Sequence, residues 1–302
     1  MKEIPKKLLE LLQKKYPDGV LESNCPEAEQ LKAGKTPICP HCGTPTPFIG
    51  ILIADSIYWL KEQTKACTCE EAQKAQQDEE RAYREKQEQK RREEHAQKVK
   101  ELRKYSGLAA RELMRTFDRF EVTEDNKKAL ETARRYVERI VDGTIQQLEK
   151  NSLYFFGSYG TGKTFLSAAI ANALIEEEER VLYTRFGELC RDVRRAYDAG
   201  SKENDTAILR PYKKCRLLVL DDLGKEKFTD WSIALLFELI DSRYRDMMPT
   251  VITANYSVEE TVKKMTMHGV DPAAAEAIAD RIREAYFRVH VGGKSWRGNG
   301  SI

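Results

Sequence analysis

The sequence predicts an α/β protein: a parallel sheet flanked by helices, carrying a phosphate loop, preceded by a small cysteine-bearing unit and a charged helical linker. Three observations predict it. Apolar strand-like runs alternate with helical patterns between residues 153 and 291, an order that specifies parallel strands joined by crossover helices. A glycine loop ending in Lys163-Thr164 follows the first of these runs directly, where a polyphosphate-binding turn belongs. Four of the seven cysteines arrive as two close pairs before residue 70, which suggests metal ligation rather than a disulfide scaffold.

At 302 residues the chain has material for about two domains and one large core. Its formal charge is only +2 although 33% of its residues are charged, so any nucleic-acid surface must be local. A mean hydropathy of −0.61 fits a long solvated segment beside folded parts. The N-terminus lacks the apolar core of a signal peptide. The most apolar window, 48–60, is interrupted by Gly50 and Asp55 and is too short to cross a bilayer; no membrane partner and a cytoplasmic location are expected.

Residues 4–16 carry Ile4, Leu8, Leu9, Leu11, Leu12 and Tyr16 at helical spacing, stopped by Pro17-Asp18-Gly19. Cys39-Pro40-His41-Cys42-Gly43 is a C-x-x-C knuckle, followed by Cys67-Thr68-Cys69. Thiolates of Cys39, Cys42, Cys67 and Cys69 would close a tetrahedral zinc site, with the stretch 48–60 supplying short strands that bring the pairs together. Cys25 is a possible substitute ligand, and His41 is expected to face solvent. Such a small, loop-rich segment lacks a sufficient apolar core of its own. We therefore read residues 1–69 as an N-terminal zinc-binding domain.

Residues 70–105 form the linker. Glu, Gln, Lys, Arg and Ala dominate, and opposite charges recur four apart, as in Glu80 with Arg84 and Glu88 with Arg92. A rigid helical spacer and a flexible charged tether both fit this composition. Residues 106–302 form the nucleotide-binding domain. A helix is expected over 124–141, capped by Thr123, then a strand at 153–156, a helix at 163–178, a strand at 180–184, helices within 186–212 and a strand at 216–221. A helix at about 230–246, a strand at 249–254, a helix ending near Ala285 and a strand at 286–291 complete the pattern.

The chemistry sits at the strand ends. In Gly157-Ser158-Tyr159-Gly160-Thr161-Gly162-Lys163-Thr164 the glycines let successive N–H groups and the positive end of the next helix face a phosphate. Lys163 would reach the β and γ phosphates of ATP, and the Thr164 hydroxyl would ligate Mg²⁺. The apolar run 217–220 ends in Asp221-Asp222. Asp221 is placed to hold the Mg²⁺ shell and Asp222 to orient and deprotonate the attacking water. Asp222 is one methylene shorter than the glutamate usual there, so slow hydrolysis by the isolated chain is expected. Asn255, at the end of the run 251–254, could hydrogen-bond the γ phosphate or that water. Arg281 and Arg297 are candidates for stabilising charge on the transferring phosphoryl group. Arg185-Phe186 and Lys225, Lys227 and Phe228 place cations beside aromatic rings, the combination that holds a phosphate and stacks on a base.

The stretches 117–136, 157–164, 217–224, 241–244, 249–255 and 280–281 together resemble the DnaC/DnaI-type helicase loaders, AAA+ ATPases of bacteria and their phages. The resemblance covers about the last two thirds of the chain. It implies an AAA+ fold, Lys163 and Thr164 as Walker A residues, Asp221 and Asp222 as Walker B residues and Asn255 as sensor 1. It also implies Arg281 as an arginine finger supplied to a neighbouring subunit and Arg297 as a sensor 2 arginine within its own site. The expected partners are a hexameric replicative helicase of the DnaB family, gripped by the N-terminal zinc domain, single-stranded DNA, and further copies of the chain. Two alternatives compete: an IstB-like helper ATPase for transposition on duplex DNA, and a P-loop kinase acting on a small molecule. The kinase requires a mobile lid, for which no segment is seen.

Overall fold

The computed structural model describes residues 4, 6–53, 56–198, 205–267 and 269–296. It divides into two compact units, 1–92 and 93–302.

In the first unit, helix α1 (Lys6–Lys15) buries Leu12 against a three-stranded antiparallel sheet of β1 (Val20–Glu22), β2 (Phe48–Ile53) and β3 (Ser56–Thr64). Leu21, Phe48 and the half-buried Trp59 form the centre of this small core, with the Phe48 and Trp59 rings edge to face at 5.6 Å. Side chains on alternate positions of a strand share one face. The other face of this sheet therefore exposes Val20, Ile51 and Tyr58, which lie opposite one another across the strands. The expected pairing of two short strands within 48–60 is present, and the second strand runs on to Thr64.

Helix α2 (Glu70–Tyr105) runs unbroken for 36 residues, so the charged segment takes the helical alternative. The Glu80–Arg84 and Glu88–Arg92 pairs form at 3.8 and 3.7 Å. Such exposed pairs contribute only a few tenths of a kcal/mol each. The C-terminal part of α2 is anchored differently. Val99 is buried in the core of the second unit, while His95 and Lys98 both engage Glu178.

The second unit continues with the short α3 (Ala110–Leu113), a 3-10 turn at Phe117–Arg119, and α4 (Lys127–Val141). It then alternates β4 (Ser152–Phe156), α5 (Lys163–Glu176), β5 (Val181–Arg185), α6 (Phe186–Asp198), α7 (Asp205–Lys214) and β6 (Leu217–Leu223). Next come α8 (Asp230–Arg245), β7 (Thr250–Ala254), α9 (Val258–Thr266), α10 (Pro272–Ala285) and β8 (Tyr286–His290). The five strands are all parallel, in the order β5-β6-β7-β4-β8. α4 and α5 pack into one core, and α6, α8 and α10 into the other. Each central strand is thus buried on both faces, which is why its sequence is a continuous apolar run.

Two boundaries differ from the sequence expectation. α4 starts at Lys127, because the Asn126 side chain accepts from the Thr123 N–H and donates to Glu121 O, holding 121–126 as a loop. α9 was not expected, although Ser257 and Glu260 form a reciprocal capping box at its start, a signature readable as Ser-x-x-Glu.

Candidate active site

Strand order positions the nucleotide cleft. β7 lies between β4, which leads into the phosphate loop, and β6, which ends in the two acids. The three strands deliver Lys163 and Thr164, then Asn255, then Asp221 and Asp222 to one carboxyl edge, where ligands of parallel sheets bind. A cleft of about 450 Å³ opens there, bounded by residues of 111–121, the phosphate loop, Asp222, Lys225, Asn255 and Trp296.

The loop itself has the geometry its residues imply. Gly162 caps α5 at φ 105°, a left-handed value that favours glycine, and turns the first N–H groups of the helix into the cleft. Thr161 is buried and donates to Ser158 O. Lys163 Nζ donates to Gly157 O and Ser158 O at 2.8 and 2.7 Å, so the ammonium is held at the loop's centre. Tyr159 is exposed at the cleft mouth, with Lys225 Nζ 5.7 Å from its ring centre.

Asp221 is 1% exposed and accepts from Thr253 Oγ1 at 2.7 Å. Burial pushes its carboxyl above the ordinary aspartate range, while the Thr253 and Thr164 hydroxyls pull the other way. The two expected Mg²⁺ ligands come from different elements, Thr164 from the start of α5 and Asp221 from β6. A hydroxyl and a buried carboxylate form a suitable oxygen donor set for Mg²⁺. Asp222 has φ 64°, an uncommon conformation for a residue other than glycine. It occurs where the β6–β7 register breaks between Leu220 and Leu223. Consequently Asp221 and Asp222 do different things. The first is buried beside Thr253; the second reaches the cleft, where Asn255 Nδ2 donates to it at 3.2 Å and Lys225 pairs with it. Thr253 joins the two by also accepting from the Asp222 N–H at 2.8 Å.

The other expected site residues divide. Arg185 stands at the end of β5, the edge strand of the sheet, its Nε 4.0 Å from Asp221 Oδ2. Lys225 lines the nucleotide cleft, and Lys227 is exposed. Phe186 and Phe228 correct the expectation of base stacking: they are 1% and 2% exposed and stack on each other within the core, at 6.3 Å. Their apolar surface is already buried, so no base can reach it. Arg281 lies outside the cleft lining on α10, where its Nε donates to Asp241 Oδ1 at 3.0 Å and its guanidinium covers the Tyr244 ring. Arg297 lies outside the described residues. Sequence reasoning missed Thr253, a buried hydroxyl near the end of β7, and Phe120, whose ring packs on Gly162 and lies edge to face with Phe165 at 5.4 Å.

In the first unit the sulfurs of Cys39, Cys42, Cys67 and Cys69 all lie within 4.8 Å of one another. The pairs Cys42–Cys67 and Cys39–Cys69 are 3.3 and 3.9 Å apart. Sulfurs 2.3 Å from a tetrahedral zinc would be about 3.8 Å apart, so the four thiols fit that ion. The Cys42 thiol is brought down to about 6, chiefly by its hydrogen bond with the Thr44 hydroxyl, whereas Cys69, despite the hydrogen bond from the Ala72 N–H, is pushed up to about 12 by burial and the neighbouring thiols; a bound cation would draw all four toward the thiolate that zinc requires. Cys25 packs instead among the apolar side chains of the unit.

The pattern of the IstB-like ATP binding proteins matches residues 59–301. The chain belongs to that family. Among curated relatives it is 32% identical over 109 residues to the replicative helicase loader DnaI of Bacillus subtilis strain 168, covering 36% of this chain and 34% of the relative. It is 28% identical over 170 residues to the replicative helicase loader DnaC of Escherichia coli K12, covering 56% and 62%. An insertion sequence IS232 ATP-binding protein of Bacillus thuringiensis is also 28% identical, over 149 residues, covering 49% and 56%. The matches thus span between about a third and three fifths of these relatives' lengths. In solved structures, the crystal structure of DnaI superposes with a TM-score of 0.51 at 26% identity, covering 63% of this chain and 94% of that one. The DnaC helicase loader gives 0.50 at 27%, covering 61% and 100%. The fold is therefore that of the AAA+ helicase-loader neighbours. No helix among the described residues is long and apolar enough to cross a membrane.

Proposed function

We propose that this protein is an ATP-hydrolysing loader that binds a hexameric replicative helicase and delivers it onto single-stranded DNA. The observation that carries the reading is the pairing, in one chain, of a nucleotide cleft with a separate four-cysteine unit. Resemblance to DnaI and DnaC supports it.

In this reading Lys163 leaves the loop carbonyls for the β and γ phosphates, exchanging neutral acceptors for charged ones. Thr164 and Asp221 hold Mg²⁺, which neutralises charge on the phosphates. Asp222 accepts a proton from the attacking water, and Asn255 orients that water or the γ phosphate. Arg281 of a neighbouring copy completes the site, releasing its own Asp241 to reach the γ phosphate. Arg297 acts as sensor 2 within its own site. Cys39, Cys42, Cys67 and Cys69 hold zinc and shape the helicase-gripping unit. Arg185 and Lys227 remain the proposed DNA contacts at the sheet edge, acting on phosphates alone.

A second reading, a helper ATPase for transposition on duplex DNA, is favoured by the family pattern and by the insertion-sequence relative. A pull-down of the full chain against a replicative helicase and against a transposase, with and without ATP, separates them. ATP-responsive capture of the helicase alone is expected; capture of the transposase alone would overturn the loader assignment.

A further inference from the structure

The chain after β8 does not leave the nucleotide site. It runs on beside the phosphate loop, continuing the parallel register of β8 with β4, and is fastened there by backbone contacts. Val291 N–H donates to Phe156 O at 2.8 Å, and Trp296 N–H donates to Gly160 O at 3.1 Å. The fit leaves no room at the loop. A Cβ on Gly160 would stand 2.1 Å from Ser295 Oγ, and one on Gly157 would stand 2.5 Å from Val291 O. These two positions thus lack side chains for a reason additional to phosphate binding: a strap, residues 291–296, lies against them.

The strap ends in an indole at the cleft. Trp296 lines the cavity and keeps 40% of its surface exposed, so the ring has a face open to a ligand. The polar groups Lys163, Thr164, Asp222 and Asn255 define the phosphate end of that cavity. What remains for the rest of a nucleotide includes Met114, Phe120 and Trp296. Phe120 packs on Gly162, and Trp296 is hooked to Gly160, so the same short loop carries an aromatic ring at each of two successive glycines.

We propose that Trp296 covers the base and ribose of the bound nucleotide, as a second aromatic wall with Phe120, held in place by the strap beside the phosphate loop. The inference rests on the cleft being the ATP site. Stacking reads the flat face of a base and not its hydrogen-bonding edge, so Trp296 contributes affinity for the nucleoside and none for the phosphates.

The test titrates Mg-ATP and inorganic tripolyphosphate into the full-length protein and into Trp296→Ala and Trp296→Phe variants, by calorimetry. Trp296→Ala should weaken ATP binding about tenfold, Trp296→Phe should restore most of that loss, and tripolyphosphate affinity should be the same in all three. ATP should also quench tryptophan emission in the wild type, and the quench should disappear in Trp296→Phe. An unchanged ATP affinity in Trp296→Ala, or an equal loss for tripolyphosphate, would overturn the proposal while leaving the ATP site intact. A wild type that binds neither ligand would instead defeat the assignment of the cleft itself.

Discussion

Asp222 concentrates much of the site's chemistry in one backbone angle. Its φ of 64° costs on the order of 1–2 kcal/mol for most side chains and less for Asp or Asn, whose short polar groups bond locally. The cost is offset where the N–H meets Thr253 and the carboxylate meets Asn255 and Lys225. Asp222→Asn should therefore hold stability within about 0.5 kcal/mol and leave ATP binding in place, while hydrolysis falls by about a hundredfold or more. Thermal melting and single-turnover ATP hydrolysis check the two halves. The adjacent acids and a separate role for each were legible in the sequence; the left-handed turn that buries one and turns the other into the cleft was not, because a register break between paired strands creates it and neither residue announces that break.

Arg243 is the clearest element-scale feature. It is 1% exposed on α8, and among the described residues no carboxylate is hydrogen-bonded to it. Instead its guanidinium donates to Thr250 Oγ1 and to the carbonyls of Tyr212, Lys213, Cys215 and Pro249. It thereby ties the end of α7 and the turns entering β6 and β7 to α8. Arg243→Leu should destabilise the second unit by at least about 3 kcal/mol, because several buried carbonyls would lose their donor together. Urea denaturation followed by circular dichroism measures this. The stretch 241–244 carries part of the family resemblance, but no periodicity distinguishes a buried arginine from the exposed Arg245 two positions later.

At the scale of the whole molecule, the two units make separable predictions. The core of the first rests on few large side chains, including Leu12, Leu21 and Phe48. Domains this small usually need a metal or a disulfide. Purified without chelator, the protein should carry about one zinc per chain. Cys67→Ser should lower that content and the near-ultraviolet signal of Trp59 without changing ATP affinity. For the second unit, Arg281 sits outside the cleft lining and is paired to Asp241. If it acts on a neighbouring copy, Arg281→Ala should retain ATP binding and lose turnover. Mixing it with Asp222→Ala should then recover activity, approaching about a quarter of wild type at equal ratio if assembly is random and each junction needs one intact member from each side. No recovery on mixing, with assembly verified by light scattering, would remove the shared-site mechanism.

The sequence by itself determined the alternating parallel fold, the phosphate loop and the two cysteine pairs, because each is written locally: continuous apolar runs alternating with helical patterns, glycines before Lys163, thiols two or three residues apart. Its reading of Phe186 and Phe228 failed for the complementary reason. A cation next to a ring looks the same whether the ring faces solvent or the core, and only packing decides between them. Tertiary structure likewise decided that Thr253 would bridge Asp221 and Asp222, and that residues 291–296 would run beside a loop more than 130 positions earlier. Strand order brings these groups together, and strand order is set by burial of the whole sheet rather than by any one segment.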